Sequence, residues 1–193
     1  MKILHIITSL KIGGAESALF NLLEKFIENK DDQHYVAYFY EGPNAAKIKK
    51  IGIPIFKIKG LIHKYDPIAY FKLKSLIKKI KPDIIHSALW SANIIGRVIA
   101  TKLNIPIICD LHSNISHDGL FRIWLEQFFL NKADKYIAVS ESAKEGFYNS
   151  VILKKQNLIK RDLYKNKIEL ILNCIDSEKI YKKSLYSNLN KTD

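Results

Sequence analysis

The sequence predicts a single α/β domain of Rossmann type, with a mostly parallel sheet and helices on both faces. Three observations predict it. Short Ile- and Val-rich runs alternate many times with stretches whose apolar residues recur at helical spacing. The runs show little polar–apolar alternation, as strands buried on both faces should. The 193 residues suffice for one well-buried core and fall short of two full domains.

In order along the chain, Lys2–Thr8 (KILHIIT) is a first strand, followed by a loop at Ser9–Gly14. Ala15–Asn29 is a helix, with Ala18, Leu19, Leu22, Leu23 and Phe26 on one stripe. Tyr35–Tyr40 is β-rich, Asn44–Ile51 is a short helix stopped by Gly52, and Pro54–Ile58 is a short strand. Pro67–Ile80 is helical, with Pro67 suited to the first turn. A strand begins at Asp83–His86, and Ser91–Leu103 forms the next helix. Strand Pro106–Leu111, helix Gly119–Lys132 and strand Lys135–Val139 follow. Ser140 is a helix N-cap with Glu141 in the first turn. The stretch Asn149–Lys167 is basic and less regular, and Ile168–Leu172 is the last strand. The domain is expected to occupy residues 1–176, leaving 177–193 as a polar tail or the start of a linker.

Composition narrows the function classes. No apolar run approaches the roughly 18 residues of a membrane-spanning helix, and the first ten residues lack a signal-peptide cleavage pattern. Cys109 and Cys174 stand in no ligand or CxxC spacing, so neither zinc nor a disulfide framework is expected, and a reducing, cytoplasmic location fits. The net charge of +12 suits an anionic membrane surface, a phosphorylated ligand or nucleic acid, or reflects a Lys-rich surface alone. No nucleic-acid module is visible, and no nucleic-acid partner is expected.

Ligands of open α/β sheets bind outside the carboxyl ends of the strands. There the sequence places Gly13, Gly14 and Glu16 after the first strand, His86 after the Asp83–Ile85 strand, and His112 and Asn114 after the next. Ser140 follows the Lys135–Val139 strand, and Asn173 and Asp176 follow the last. Gly13-Gly14 supplies either a turn that needs φ > 0 or close backbone approach, opening a helix N-terminus to an anion or sugar hydroxyls, or a turn chosen for geometry alone. GxGxxG and GxxxxGK[ST] are absent, which argues against a dinucleotide dehydrogenase and a P-loop NTPase. His86 and His112 are candidate hydrogen-bonding or proton-handling groups. His5 reads as a core residue, and His34, His63 and His117 have no partner spacing. No metal site is expected. Trp90 and Trp124 read as packing residues, and the lysines at 72, 74, 78, 79 and 81 as a solvated face that could also meet anionic lipid.

Four segments then look familiar in order: KILHIITSLKIGGAESALFNLL, KPDIIHSALWSANIIGRVIATKLNIPIICDLHSN, ADKYIAVSESAKEGF and LILNCID. Together they resemble the N-terminal, acceptor-side domain of glycosyltransferase family 4, which has the GT-B fold. The resemblance runs from about Lys2 to Asp176. It implies two Rossmann domains facing a cleft, the N-terminal one for the acceptor and the C-terminal one for a nucleotide sugar. It also implies retaining transfer of a hexose from a UDP- or GDP-sugar as co-substrate, with no bound metal and no further cofactor. By motif, Gly13 and Gly14 would lie near the donor phosphate and acceptor. His112 would match the histidine near the transferred sugar, and His86 and Ser140 would line the cleft. Asn173 would sit in the interdomain turn, where Cys174 replaces the family's glycine.

The family's donor-binding domain, with its E-x7-E motif, is not found after Asp176, so the chain is expected to be a fragment, a truncated frame or one half of a split enzyme with a donor-domain partner chain, and to transfer little or no sugar alone. The expected acceptor is a glycan or glycolipid of cell-surface polysaccharide assembly, handled at the inner face of the plasma membrane. Two alternatives remain: a non-catalytic subunit anchoring a split transferase to anionic membrane, and a different α/β enzyme with a nucleotide at Gly13-Gly14.

Overall fold

The computed structural model describes residues 1–28, 31–59, 67–153 and 166–172. Seven parallel strands form one sheet: β1 (Lys2–Ser9), β2 (Gln33–Tyr40), β3 (Ile55–Lys57), β4 (Ile84–Ala88), β5 (Ile107–Leu111), β6 (Lys135–Ala138) and β7 (Ile168–Leu170). Their order is β3-β2-β1-β4-β5-β6-β7, and every pairing is parallel. Strand order reverses between β1 and β4, the switch point at which such sheets open a crevice.

The crossovers carry α1 (Gly14–Phe26), α2 (Pro43–Lys50), α3 (Pro67–Ile80), α4 (Trp90–Leu103), α5 (Leu120–Phe129) and α6 (Glu141–Phe147). Pro43 and Pro67 both open their helices, where a missing N–H costs nothing. Asn104 ends α4 in the left-handed conformation that Asn tolerates. A π-helical turn, Tyr148–Ile152, prolongs α6 into the stretch that reads as irregular in sequence.

The two faces of the sheet bury separate cores. Leu4, Ile6, Ile85, Ile107, Tyr136 and Ala138 pack with Leu73 and Ile77 of α3 and with α4, α5 and α6. Ile7, Val36, Tyr38 and Ala88 pack with Leu19 and Leu23 of α1 and Ile48 of α2. Each fully buried Leu or Ile contributes about 1.5–3 kcal/mol.

Arg97, fully buried on α4, ties the first layer together. Its Nη2 lies 2.6 Å from Glu126 Oε2 of α5, its Nη1 donates to the Tyr136 hydroxyl at 2.9 Å, and its Nε donates to the Asn93 carbonyl. Cys109 is a buried free thiol whose pKa burial pushes up to about 11. Among the described residues no helix is long and apolar enough to cross a membrane.

Trp124 departs from its expected packing role. It is 55% exposed, in a row with Phe121 and Phe128 whose rings stack at 6.1 and 5.7 Å centroid separation. The stripe of α5 that faces the core is Ile123, Leu125 and Glu126, which leaves Trp124 on the outer side. Trp90 is half-buried at the start of α4, with the Arg122 guanidinium 4.7 Å above its ring. The α3 lysines lie on the solvated side; Lys72, Lys78 and Lys79 are exposed.

Candidate functional site

The loops after β1, β4 and β5 sit side by side at the switch point. Gly13 is the N-cap of α1 and is extended (φ −173°), and neither Gly13 nor Gly14 adopts φ > 0. Gly13 has a different neighbour: the end of the Glu16 side chain folds back over it, and its carboxylate occupies the place of a β-carbon. Glu16 is buried and accepts a short hydrogen bond from the Ser9 hydroxyl. Gly14, by contrast, faces open space.

The sequence reading missed the floor of this loop. Gly42 lies against the Leu10 and Lys11 backbone, and Asn44, buried, donates from its backbone N–H to Leu10 O (3.1 Å) and from Nδ2 to Lys11 O (2.7 Å). The G-P-N sequence between a strand and a helix was its signal.

At the β4–α4 turn, Leu89 stands at φ 73°, ψ 148°, a conformation a β-carbon resists at a cost of order 1–3 kcal/mol. Thr8 of β1 accepts from the Ala92 N–H in the first turn of α4. Strain therefore sits at the switch point beside His86.

His86 and His112 share one carboxylate. Asp110 Oδ2 lies 2.9 Å from His86 Nε2 and 3.6 Å from His112 Nε2. Burial alone would raise the Asp110 pKa, but the two imidazoles outweigh it and hold the carboxyl well below its ordinary range. Asp110 Oδ1 is buried with no partner among the described residues. Sequence reasoning did not single out Asp110; the D-x-H spacing, which puts Asp110 and His112 on one face of β5, was the available signal.

His5 is buried, as expected of a core residue, but it is hydrogen-bonded on both ring nitrogens. Its Nδ1 lies 2.9 Å from His86 Nδ1 and its Nε2 lies 3.1 Å from His34 Nδ1. His34 thus has a partner, contrary to the expectation from sequence. The reason is that β2 starts two residues earlier than read, which places His34 on the same face as Val36. Burial first, then His86 and His34, push the His5 pKa well below the imidazole range.

Two other candidates are engaged in local structure. Ser140 Oγ caps α6 by accepting from the Ala143 N–H at 3.1 Å. Asn114 Oδ1 accepts from Ser116 N and Oγ, and its Nδ2 donates to Ser142 Oγ at 3.1 Å, which docks the β5–α5 loop onto α6. Asn173, Cys174, Asp176 and His63 lie outside the described residues. Among the described residues no group of His, Cys, Asp or Glu has the arrangement to hold a metal ion.

A parallel sheet reversing at β1/β4, with polar strand ends on both sides of the reversal, defines a doubly wound, Rossmann-like domain with its crevice at the switch point. Solved structures share that fold. Anabaena HepE in complex with UDP and glucose matches with a TM-score of 0.73 at 19% identity, over 91% of this chain and 45% of its own. A glycosyltransferase from Rickettsia africae matches with a TM-score of 0.66 at 14% identity, over 96% and 49%. Residues 12–151 match the profile of Glycosyltransferase Family 4, and the chain belongs to that family. It is also 31% identical over 120 residues to the Campylobacter jejuni α-1,4-N-acetyl-D-galactosaminyltransferase that acts on GalNAc-α-(1→4)-GalNAc-α-(1→3)-diNAcBac-PP-undecaprenol. That alignment covers 59% of this chain and 33% of the relative. The chain therefore spans between a third and a half of the proteins it matches.

Proposed function

We propose that this chain is the acceptor-side half of a retaining GT-B glycosyltransferase, moving a hexose from a UDP- or GDP-sugar to a glycan or glycolipid of cell-surface polysaccharide assembly. The observation that carries the reading is the family match over residues 12–151, which contains Gly13, Gly14, Glu16, His86, His112, Asn114 and Ser140. The Campylobacter relative's undecaprenol-linked acceptor supports a lipid-linked acceptor here. In this reading His112 is the catalytic group at the transferred sugar, and Gly13, Gly14, Glu16 and His86 line the acceptor side. Asn114 and Ser140 shape the neighbouring wall, and Asn173 belongs to the interdomain turn.

Electrostatics favour hydroxyl groups over phosphate at the β1–α1 turn. A helix N-terminus attracts anions, but here the Glu16 carboxylate lies over Gly13 and repels them. The leaving diphosphate is then met by basic side chains and N–H groups of a donor-binding domain, without a metal. NMR titration of this chain tests the assignment. An undecaprenol-diphosphate-linked oligosaccharide in detergent is expected to shift the Gly14 and His112 resonances at concentrations where UDP-glucose does not. Tight UDP-glucose binding with no response to the acceptor would overturn it and favour a nucleotide enzyme.

A second reading concerns place. The exposed Phe121–Trp124–Phe128 row of α5 and the lysines of α3 lie on helices packed over the same sheet face, which suits peripheral attachment to an anionic membrane at the cytoplasmic side. Co-sedimentation with phosphatidylglycerol vesicles, weakened by salt and by W124S, is the expected result; equal binding to neutral vesicles would contradict it.

A further inference from the structure

His34, His5, His86 and Asp110 lie on neighbouring strands β2, β1, β4 and β5, and all face the α1 side of the sheet. The contacts between them are successive: 3.1 Å from His34 Nδ1 to His5 Nε2, 2.9 Å from His5 Nδ1 to His86 Nδ1, and 2.9 Å from His86 Nε2 to Asp110 Oδ2. Phe26 of α1 covers the first two rings, with centroids 5.0 Å from His34 and 6.4 Å from His5. The far end, His34, borders a shallow cavity between Ile27, Asp32 and Ile53, at the edge of the sheet opposite the rim.

Proton accounting gives this row a direction. An ionised carboxylate only accepts hydrogen bonds, and a neutral imidazole donates from one nitrogen and accepts at the other. Asp110 therefore requires the proton of His86 on Nε2. His86 Nδ1 must then accept, so His5 carries its proton on Nδ1. His5 Nε2 must accept in turn, so His34 carries its proton on Nδ1. His34 Nε2 is left bare, and within the row it is a buried ring nitrogen with no hydrogen-bond partner among the described residues, as is His112 Nε2 at the rim. All four groups are consistent with one arrangement.

We propose that His34, His5 and His86 form a one-directional hydrogen-bond chain, set by the acceptor-only carboxylate of Asp110, which makes His5 and His86 positioning residues for the rim pair Asp110–His112. His86 fixes Oδ2 at the rim, and His5 fixes His86. The same oxygen also faces His112 Nε2 at 3.6 Å, beyond hydrogen-bond distance, so the carboxylate acts on that nitrogen through its charge alone, which favours a proton there and leaves Nδ1 of His112 as its acceptor atom. One proton added at His86 leaves its bond to Asp110 in place, reverses the two bonds between the histidines and turns His34 Nε2 into a buried donor. The charged groups facing the row are Asp110 and His112 at the rim, and Asp32 with the Met1 ammonium beside His34.

The identity of the rim pair as reacting groups rests on the transferase reading; the direction of the chain does not. Nitrogen-15 spectra of the histidine-labelled chain at pH 7.5 test it without turnover. The expected result is Nδ1–H for His34 and His5 and Nε2–H for His86. D110N, whose amide can donate to His86 Nε2, is expected to abolish the single Nδ1–H signature of His34, three strands away. H5L combined with D110N is expected to remove that response. An Nε2–H tautomer at His5 in the wild type, or a His34 signature unchanged by D110N, would overturn the proposal. If D110N does not fold, the wild-type tautomers decide it alone. A directed chain combined with an acceptor titration that leaves His112 unmoved would retain this inference and reject the transferase assignment.

Discussion

The Glu16 carboxylate stands where a side chain on Gly13 would be, while Gly14, one residue on, faces open space. The two glycines, equivalent in sequence, therefore differ in what they tolerate. Gly13→Ala displaces Oε2 at the end of the Glu16 side chain, and weakening of the bond that Oε1 accepts from Ser9 is expected to cost up to about 1.5–3 kcal/mol, the value of a hydrogen bond to a charged group. Gly14→Ala is expected to stay within about 0.5 kcal/mol of wild type. Thermal unfolding of the two variants checks the contrast, and equal losses would contradict it.

Acid should destabilise the chain in two windows. Folding lowers the pKa of His5 and His34 below the ordinary imidazole value of 6.5, chiefly by burial. Below about pH 6.5 the unfolded chain thus binds protons that the folded chain refuses, so stability falls as pH falls. Each imidazole accounts for at most ~1.4 kcal/mol per pH unit. Asp110, held below its ordinary value, adds stability above about pH 4 that is lost further down. Urea unfolding from pH 8 to pH 5 should show the upper window, and H5L should flatten it. A slope of the opposite sign would refute the account.

Arg97 and Glu126 should behave as a buried pair. R97M leaves the Glu126 carboxylate buried without its 2.6 Å partner, at an expected cost of about 3–5 kcal/mol. R97M combined with E126L should recover most of that loss, because two apolar side chains leave no charge stranded. Chemical denaturation of the single and double variants separates the terms; a loss under about 1 kcal/mol for R97M would contradict the geometry.

These features differ in how plainly the sequence shows them. The strand–helix rhythm was legible because a parallel sheet needs Ile- and Val-rich runs, and Gly52, Pro67 and Ser140 punctuate it as their chemistry requires. His112 was legible as a rim residue because it follows the end of β5, whereas His86, expected just after its strand, lies in the middle of β4 because that strand runs on to Ala88. Asp110 was not legible, because an acidic residue late in a strand looks like any solvated strand end until β4 and β5 are in register. His34 was hidden by a strand boundary two residues off. The contact between Glu16 and Gly13 was hidden because a GG pair suggests a left-handed turn, whereas the backbone here is extended. Leu89 carries strain where a glycine would be expected, and no local pattern announces it.

The most direct test joins this chain to a family 4 donor-binding domain and measures sugar transfer to an undecaprenol-linked acceptor for wild type and H112A. The expected result is transfer by the wild type, with a loss of about 10²-fold or more in kcat for H112A and an unchanged melting temperature. Equal turnover by H112A, or a loss that merely follows unfolding, would contradict the assignment of His112 as the catalytic group.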